Sequence, residues 1–85
     1  MKIKLQLFGA FRQYSNEIEL DLDEGCAISD LRKKLLDTLK EKKVSFNVEG
    51  LIDSSRFSND EAILEEDSVI NKNDNLAILP PVSGG

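Results

Sequence analysis

Residues 2–23 read "KIKLQLFGAFRQYSNEIELDLD", and apolar side chains occupy every second position in two parts of this stretch. The alternating apolar residues are Ile3, Leu5, Leu7, Ile18, Leu20 and Leu22. A period of two residues is typical of a strand with one buried face. The connecting segment "GAFRQYSN" begins with Gly9 and ends with Ser15-Asn16, which are turn-forming residues. The stretch therefore predicts a β-hairpin with strands at 2–8 and 17–23.

The segment that follows the hairpin changes to a helical period. Leu31, Leu35 and Leu39 recur at the spacing of one helix face, which predicts an amphipathic helix over roughly 29–42. Ser29 is the predicted N-cap, and Asp30 would favour the helix dipole in the first turn. The next stretch, 44–55, predicts only a loop with one short helical or extended piece.

The second half of the chain predicts three short strands. "RFSNDEAIL", residues 56–64, contains two of them around a turn at 59–61, and the charged run 65–67 is interpreted as solvated. "LAILP", residues 76–80, is a buried final strand that Pro80 and Pro81 end, because proline cannot donate to a sheet. This order of elements predicts an α+β roll of the β-grasp, ubiquitin-like type. It has a mixed sheet, one main helix, and the last strand beside the first.

The composition excludes several classes of function. The net charge of −5 argues against binding to a nucleic-acid backbone, which requires clustered Lys and Arg. The chain has no histidine and a single cysteine, so Ser-His-Asp sites, His-ligated zinc and internal disulfides are all excluded. Lys2, Lys4 and Arg12 interrupt the apolar residues of the first segment, which excludes a secretory or membrane-spanning sequence there. We expect a cytoplasmic protein without a bound cofactor.

Two local features resemble a reactive cysteine and a calcium-binding loop, but neither fits its pattern. Cys26 precedes the predicted helix N-terminus, where a thiolate is favoured, but it lacks a second cysteine or a base and is interpreted as a small apolar turn residue. The acidic run that begins at Asp21 suggests a calcium loop. Position six of that loop would be Cys26 instead of glycine, and position twelve would be Arg32 instead of glutamate. No metal site is predicted.

The sequence ends in "ILPPVSGG", residues 78–85, with no charged side chain after Asp74. We predict a domain over 1–79 and an extended tail over 80–85, because the two prolines impose extended backbone and about 20 Å of reach. Gly84 and Gly85 would pass through a slot too narrow for a side chain. The reactive group is the α-carboxylate of Gly85, a poor electrophile that needs activation, for example as an acyl-adenylate made from ATP. The alternative is a frayed end.

Four stretches together resemble a known family. "KLQLFGAFRQ", "SNDEAI", "NDNLAILPP" and above all "LPPVSGG" are similar to the small subunit of molybdopterin synthase, the MoaD-like sulfur carriers. The resemblance implies a β-grasp fold and a C-terminal glycine that a ubiquitin-activating-like adenylyltransferase adenylates with ATP. That glycine becomes a thiocarboxylate and enters the large subunit of the synthase. There it donates sulfur to cyclic pyranopterin monophosphate, forming the dithiolene of molybdopterin.

The resemblance also implies roles for individual residues. Gly85 would carry the adenylate and then the thiocarboxylate. The inserted arm would consist of Pro80, Pro81, Val82, Ser83 and Gly84. Phe8, Ile63 and Leu79 match an apolar docking patch for the partner, and the alternative for Phe8 is an isolated surface residue. Arg12 matches a basic position that contacts the activating enzyme, and the alternative is a solvated arginine.

Three rival functions use the same sequence features. A thiamine-pathway sulfur carrier also ends in Gly-Gly on a β-grasp domain, but such chains are typically shorter and lack the Pro-Pro pair. A ubiquitin-like protein modifier would form an isopeptide bond through Gly85 instead of a thiocarboxylate. A plain binding module would keep its activity after deletion of Gly84 and Gly85. An enzyme acting alone is disfavoured, because no acid, base and nucleophile set is predicted to converge.

Overall fold

The computed structural model of the chain describes residues 1–44, 47–71 and 74–81. Within these residues five strands form one sheet in the order β2-β1-β5-β3-β4, and two helices accompany it. The strands are β1 (Lys2–Leu7), β2 (Glu17–Asp21), β3 (Arg56–Ser58), β4 (Ile63–Leu64) and β5 (Leu76–Leu79). The helices are α1 (Ile28–Glu41) and α2 (Val48–Ser54), and a 3-10 helix spans Gly9–Gln13.

The predicted hairpin and the central position of the last strand are both confirmed. β1 pairs antiparallel with β2, so that Ile3 lies opposite Leu20 and Leu5 opposite Ile18. These four side chains are buried, as the period of two residues requires. β5 pairs parallel with β1 on one side and antiparallel with β3 on the other. The mixed sheet with one main helix is the β-grasp, ubiquitin-like fold.

The connection at 9–16, which the sequence predicted to be a turn, contains a 3-10 helix at Gly9–Gln13. Its residue Phe11 is fully buried and belongs to the same core as the sheet and α1. The alternating pattern does not reach this residue, because the chain has already left the strand at Gly9. The hairpin connection therefore contributes to the core as well as reversing the chain.

Helix α1 packs its apolar face on the sheet through Leu31, Leu35 and Leu39, which are fully buried. The predicted N-cap at Ser29 is wrong, since the helix begins at Ile28 and its N-cap is Ala27. The loop before β5 makes this start possible: backbone N–H groups of Ile28 and Ser29 donate to the carbonyl oxygens of Ser68 and Glu66. These carbonyls satisfy two of the free N–H groups that a capping side chain would otherwise serve.

The stretch that the sequence left open, 44–55, contains α2. Asn47 caps this helix by accepting a hydrogen bond from the Gly50 N–H at 3.2 Å. Val48 and Ile52 are buried beneath it, and Ser45 and Phe46 lie outside the described residues. The predicted turn at 59–61 is confirmed: the Asn59 side chain accepts from the N–H groups of Glu61 and Ala62 between β3 and β4.

An arginine on α1 joins four parts of the fold. The Arg32 guanidinium donates twice to the Glu66 carboxylate, at 2.9 and 2.6 Å. Its Nη1 also donates to the carbonyl oxygens of Ile52 and Ser55 at the end of α2, and the guanidinium lies 5.0 Å above the buried ring of Phe57. Residues 65–67 are exposed, as predicted, and Glu66 in addition pairs with Arg32. These hydrogen bonds hold the pKa of the Glu66 carboxyl below its usual value.

Candidate functional site

The final strand delivers the chain to the surface from the middle of the sheet. Register places Ile78 beside Leu7 on β1 and beside Phe57 on β3, and all three side chains are fully buried. Pro80 and Pro81 follow directly and are half-buried and exposed, respectively. Val82, Ser83, Gly84 and Gly85, the rest of the predicted arm and its reactive end, lie outside the described residues. Their assignment stays a prediction.

The three residues of the predicted docking patch lie on one face of the sheet. Leu7 and Ile78 lie opposite each other and point into the core. Phe8 follows the end of β1 in extended backbone, and Leu79 is the last residue of β5. Both therefore point to the opposite face of the sheet. Ser58 pairs with Ala77 on one side and with Ile63 on the other, which places Ile63 on the same outer face. We call Phe8, Ile63 and Leu79 the outer patch.

The outer patch is accessible to a partner to different degrees. The Ile63 side chain is 57% exposed and is one of two large apolar residues found exposed in the described chain. Phe8 and Leu79 are half-buried. By strand spacing, Phe8 and Leu79 are neighbours, whereas Ile63 lies two strands, about 10 Å, to the side of β5. Arg56 and Ser58 of β3 lie between Leu79 and Ile63 on this face, so the continuous apolar part of the patch is Phe8 and Leu79, next to Pro80.

Arg12 is held at the edge of the outer patch. Its guanidinium lies 4.9 Å above the Phe8 ring, and its Nε donates to the Leu7 carbonyl oxygen at 3.1 Å. A cation above an aromatic ring contributes about 0.5–1 kcal/mol at an exposed site. In the sequence, Arg12 and Phe8 matched the family at two separate positions, whereas in the structure the two side chains are in contact. Arg12 therefore places a positive charge at the edge of the outer patch.

Sequence reasoning missed Gly9, which lies against Pro80. Gly9 has a φ of +59°, and a Cβ built on it would lie 2.5 Å from Cγ of Pro80. Glycine directly after a strand was a visible signal for a special backbone conformation. The proximity to Pro80 was not visible, because the two residues are distant in sequence.

The other candidate groups do not form a site. Within 1–44, 47–71 and 74–81 no group of carboxylates and thiols is arranged to hold a metal ion. The Cys26 side chain is half-buried, and burial, together with the Asp30 carboxylate, raises the pKa of its thiol. Neither helix of the described chain has the length and apolar character needed to cross a bilayer.

Comparisons with known proteins agree with this geometry. A model of the ThiS family matches residues 5–85. SAMP1 of Haloferax volcanii is similar over 100% of this chain and 100% of its own, with 22% identity and a TM-score of 0.73. A protein of Pyrococcus furiosus provisionally assigned as molybdopterin converting factor subunit 1 is similar over 96% of this chain and 99% of its own, with 25% identity and a TM-score of 0.72.

Ubiquitin of Caldiarchaeum subterraneum is similar over 100% of this chain and 98% of its own, with 18% identity and a TM-score of 0.61. A comparison with the curated proteins gives no match. The family match and the Pyrococcus structure confirm the resemblance to ubiquitin-like sulfur carriers that the sequence motifs indicated.

Proposed function

The chain belongs to the ThiS family, and we propose that it is the sulfur-carrying small subunit of a molybdopterin synthase. In this proposal Gly85 receives AMP from ATP on an adenylyltransferase, exchanges it for sulfur, and carries the sulfur into the large subunit. The acceptor is cyclic pyranopterin monophosphate. These steps belong to molybdenum cofactor biosynthesis and take place in the cytoplasm.

The proposed reaction makes the carrier a substrate of its partners. The Gly85 carboxylate attacks the α-phosphate of ATP, and pyrophosphate leaves. Hydrosulfide released by a sulfur donor then attacks the acyl carbon, AMP leaves, and a thiocarboxylate remains after loss of the proton. The carrier supplies the carboxylate, while the partners supply the catalytic groups and bind ATP. The domain holds no cofactor of its own and contributes recognition and delivery.

The observation that carries the proposal is the junction between β5 and the prolines. A central strand, paired on both sides, leads directly into Pro80 and Pro81 beside the outer patch. A partner that covers Phe8 and Leu79 therefore also meets the start of the tail. From Pro80 the remaining residues span at most about 20 Å, enough to reach a recessed active site.

Two features favour the molybdenum pathway over the thiamine pathway. The Pro-Pro pair before Val-Ser-Gly-Gly matches the motif of the molybdopterin synthase small subunits. The Pyrococcus furiosus protein, whose name places it in molybdopterin conversion, is also similar over nearly its whole length. Both features support a large synthase subunit as the partner.

A protein modifier is the second candidate. The small archaeal modifier protein 1 of Haloferax volcanii is similar over 98% of its length and shares the fold. The first chemical step is the same for both functions, because an activated Gly85 carbonyl accepts either sulfur or the amine of a lysine. The two candidates therefore differ in the nucleophile that displaces AMP.

The intact mass of the protein tests the proposal. We would incubate the 85-residue chain with ATP, a cognate adenylyltransferase and a sulfur donor, and compare it with the chain lacking Gly85. We expect a mass increase equal to the exchange of one oxygen for sulfur, only when Gly85 is present. We expect the deletion to leave the core intact, because glycine has no side chain and the core residues of the described chain lie between Ile3 and Ile78.

The outcomes separate the candidates. A thiocarboxylate that supports molybdopterin formation with the large subunit, but does not support thiazole synthesis, is the expected result. The reverse preference would assign the chain to the thiamine pathway. An adduct to lysine would make it a modifier. An unchanged mass, or a mass increase that persists without Gly85, would refute the sulfur carrier.

A further inference from the structure

The ring of Pro80 occupies the space that a side chain at residue 9 would fill. A Cβ on Gly9 would lie 2.5 Å from Pro80 Cγ, 3.6 Å from its Cδ and 3.7 Å from its Cβ. Ordinary van der Waals contact begins at 3.4 Å, so the proline ring rests directly on the bare backbone of Gly9. Any other residue at position 9 requires the ring to move.

The register of the sheet explains why these two residues meet. β1 and β5 run parallel with Leu7 opposite Ile78, so Gly9 and Pro80 come two residues later on adjacent chains. Here the two chains diverge: the left-handed φ of +59° at Gly9 turns its chain into the 3-10 helix. The other chain continues past the glycine into Pro81.

We infer that Gly9 is a positioning residue for the tail: its missing side chain seats Pro80 and thereby sets the direction in which the chain leaves β5. This inference rests on the proposed function for its consequence, the delivery of Gly85 to a partner. The seat lies immediately beside Phe8, so the direction of the tail is defined relative to the outer patch that the partner would cover.

The size of the effect follows from the displacement that a side chain would cause. Moving Pro80 Cγ from 2.5 to 3.4 Å from a new Cβ requires at least 0.9 Å of movement at the base of the tail. A misplacement of about 1 Å in a reacting group can lower a rate by about a hundredfold. For Gly9→Ala we expect kcat/KM for adenylation to fall roughly tenfold to a hundredfold, mainly because kcat falls while KM changes little.

The chain offers a matched control at a second glycine with positive φ. Gly25 has a φ of +80°, and a Cβ built on it has no heavy atom within 4 Å. Gly25→Ala therefore introduces the same kind of backbone strain without a collision. Both alanine variants should lower the thermal midpoint, but only Gly9→Ala should lower kcat/KM for adenylation. Equal losses of kcat/KM in the two variants would overturn the inference.

A second-site change tests the contact itself. Pro80→Ala removes the ring carbons that collide with a new Cβ, so the double variant Gly9→Ala/Pro80→Ala should recover kcat relative to Gly9→Ala. We expect a positive interaction in the double-mutant cycle. Additive losses in the cycle would show that Gly9 acts through stability alone.

A readout without partners separates this inference from the proposed function. In ¹⁵N-labelled protein, Gly9→Ala should shift the amide resonances of Leu79 and Val82, whereas Gly25→Ala should leave them unchanged. Gly9→Asn, which tolerates positive φ better than alanine, serves if Gly9→Ala does not fold. Unshifted resonances in a folded Gly9 variant would refute the inference that Gly9 positions Pro80. Shifted resonances in a chain whose wild type is never adenylated refute the sulfur carrier only.

Discussion

Replacing Arg32 by methionine tests which of its contacts stabilises the domain. Methionine keeps the apolar stem of the side chain and removes the guanidinium. That group makes a two-fold hydrogen bond to Glu66, donates to two carbonyl oxygens at the end of α2, and lies over the ring of Phe57. The side chain of Arg32 is 19% exposed, whereas that of Glu66 is 54% exposed.

The carbonyl contacts should outweigh the ion pair. Because Glu66 is half in solvent, its pairing contributes about 0.2–1 kcal/mol. Hydrogen bonds from a charged donor contribute about 1.5 kcal/mol each at the low end of their range, and the Phe57 contact about 0.5–1 kcal/mol. Arg32→Met removes all of these contacts and should therefore lower the free energy of unfolding by about 4–5 kcal/mol, and Glu66→Gln by no more than about 1 kcal/mol.

Thermal unfolding followed by circular dichroism measures this difference. For a domain of this size 1 kcal/mol moves the midpoint by about 4–8 °C, so Arg32→Met should lose about 15 °C or more and Glu66→Gln less than about 8 °C. Urea titrations of both variants supply the free energies directly. Equal destabilisation by the two variants would refute the reasoning, because the ion pair would then carry the whole contribution.

Two further predictions concern the outer patch and acid. Phe8→Asp should weaken binding of the large subunit at least tenfold while the chain stays folded. Phe8 lies outside the core at the N-cap of the 3-10 helix, where aspartate is favourable. Titration calorimetry checks this, with Val69→Asp, at another exposed apolar residue, as the control that should bind normally. Arg32 holds the pKa of the Glu66 carboxyl below its ordinary value, so the stabilisation from this pair is present above that ordinary value and is lost as the pH falls through the lowered pKa. The difference in midpoint between wild type and Glu66→Gln should therefore shrink from pH 7 to pH 3, and a constant difference would contradict this assignment.

The elements that the sequence predicted well are those whose signal lies within one segment. Alternation in β1 and β2 and the leucine spacing of α1 each record which face of a single element is buried. The final strand was recognisable because an apolar run ends at two prolines. Helix α2 has only seven residues, too few for a clear period, and the sequence left its conformation open.

The features that the sequence missed involve partners that lie far away in sequence. Ser29 is a good N-cap by residue type, but carbonyls of the 66–68 loop already serve the first N–H groups of α1 and move its start to Ile28. Glu66 is exposed, as the charged run indicated, but the sequence did not show that α1 brings Arg32 to it. In both cases the deciding contact is long-range, and a single sequence carries no record of which distant residues meet.

The sequence by itself determined the α+β class, the central final strand, the prolines that follow it and the absence of histidine chemistry. Composition and periodicity are properties of short stretches of chain, so they can be recognised before folding is considered. Only the tertiary structure decided that Phe8, Ile63 and Leu79 share one face, that Arg12 lies over Phe8, and that Pro80 rests on Gly9. The shared face and the Gly9–Pro80 contact depend on the register between strands, because a shift of one residue would turn every side chain to the opposite face. The Arg12–Phe8 contact depends on the 3-10 helix between them.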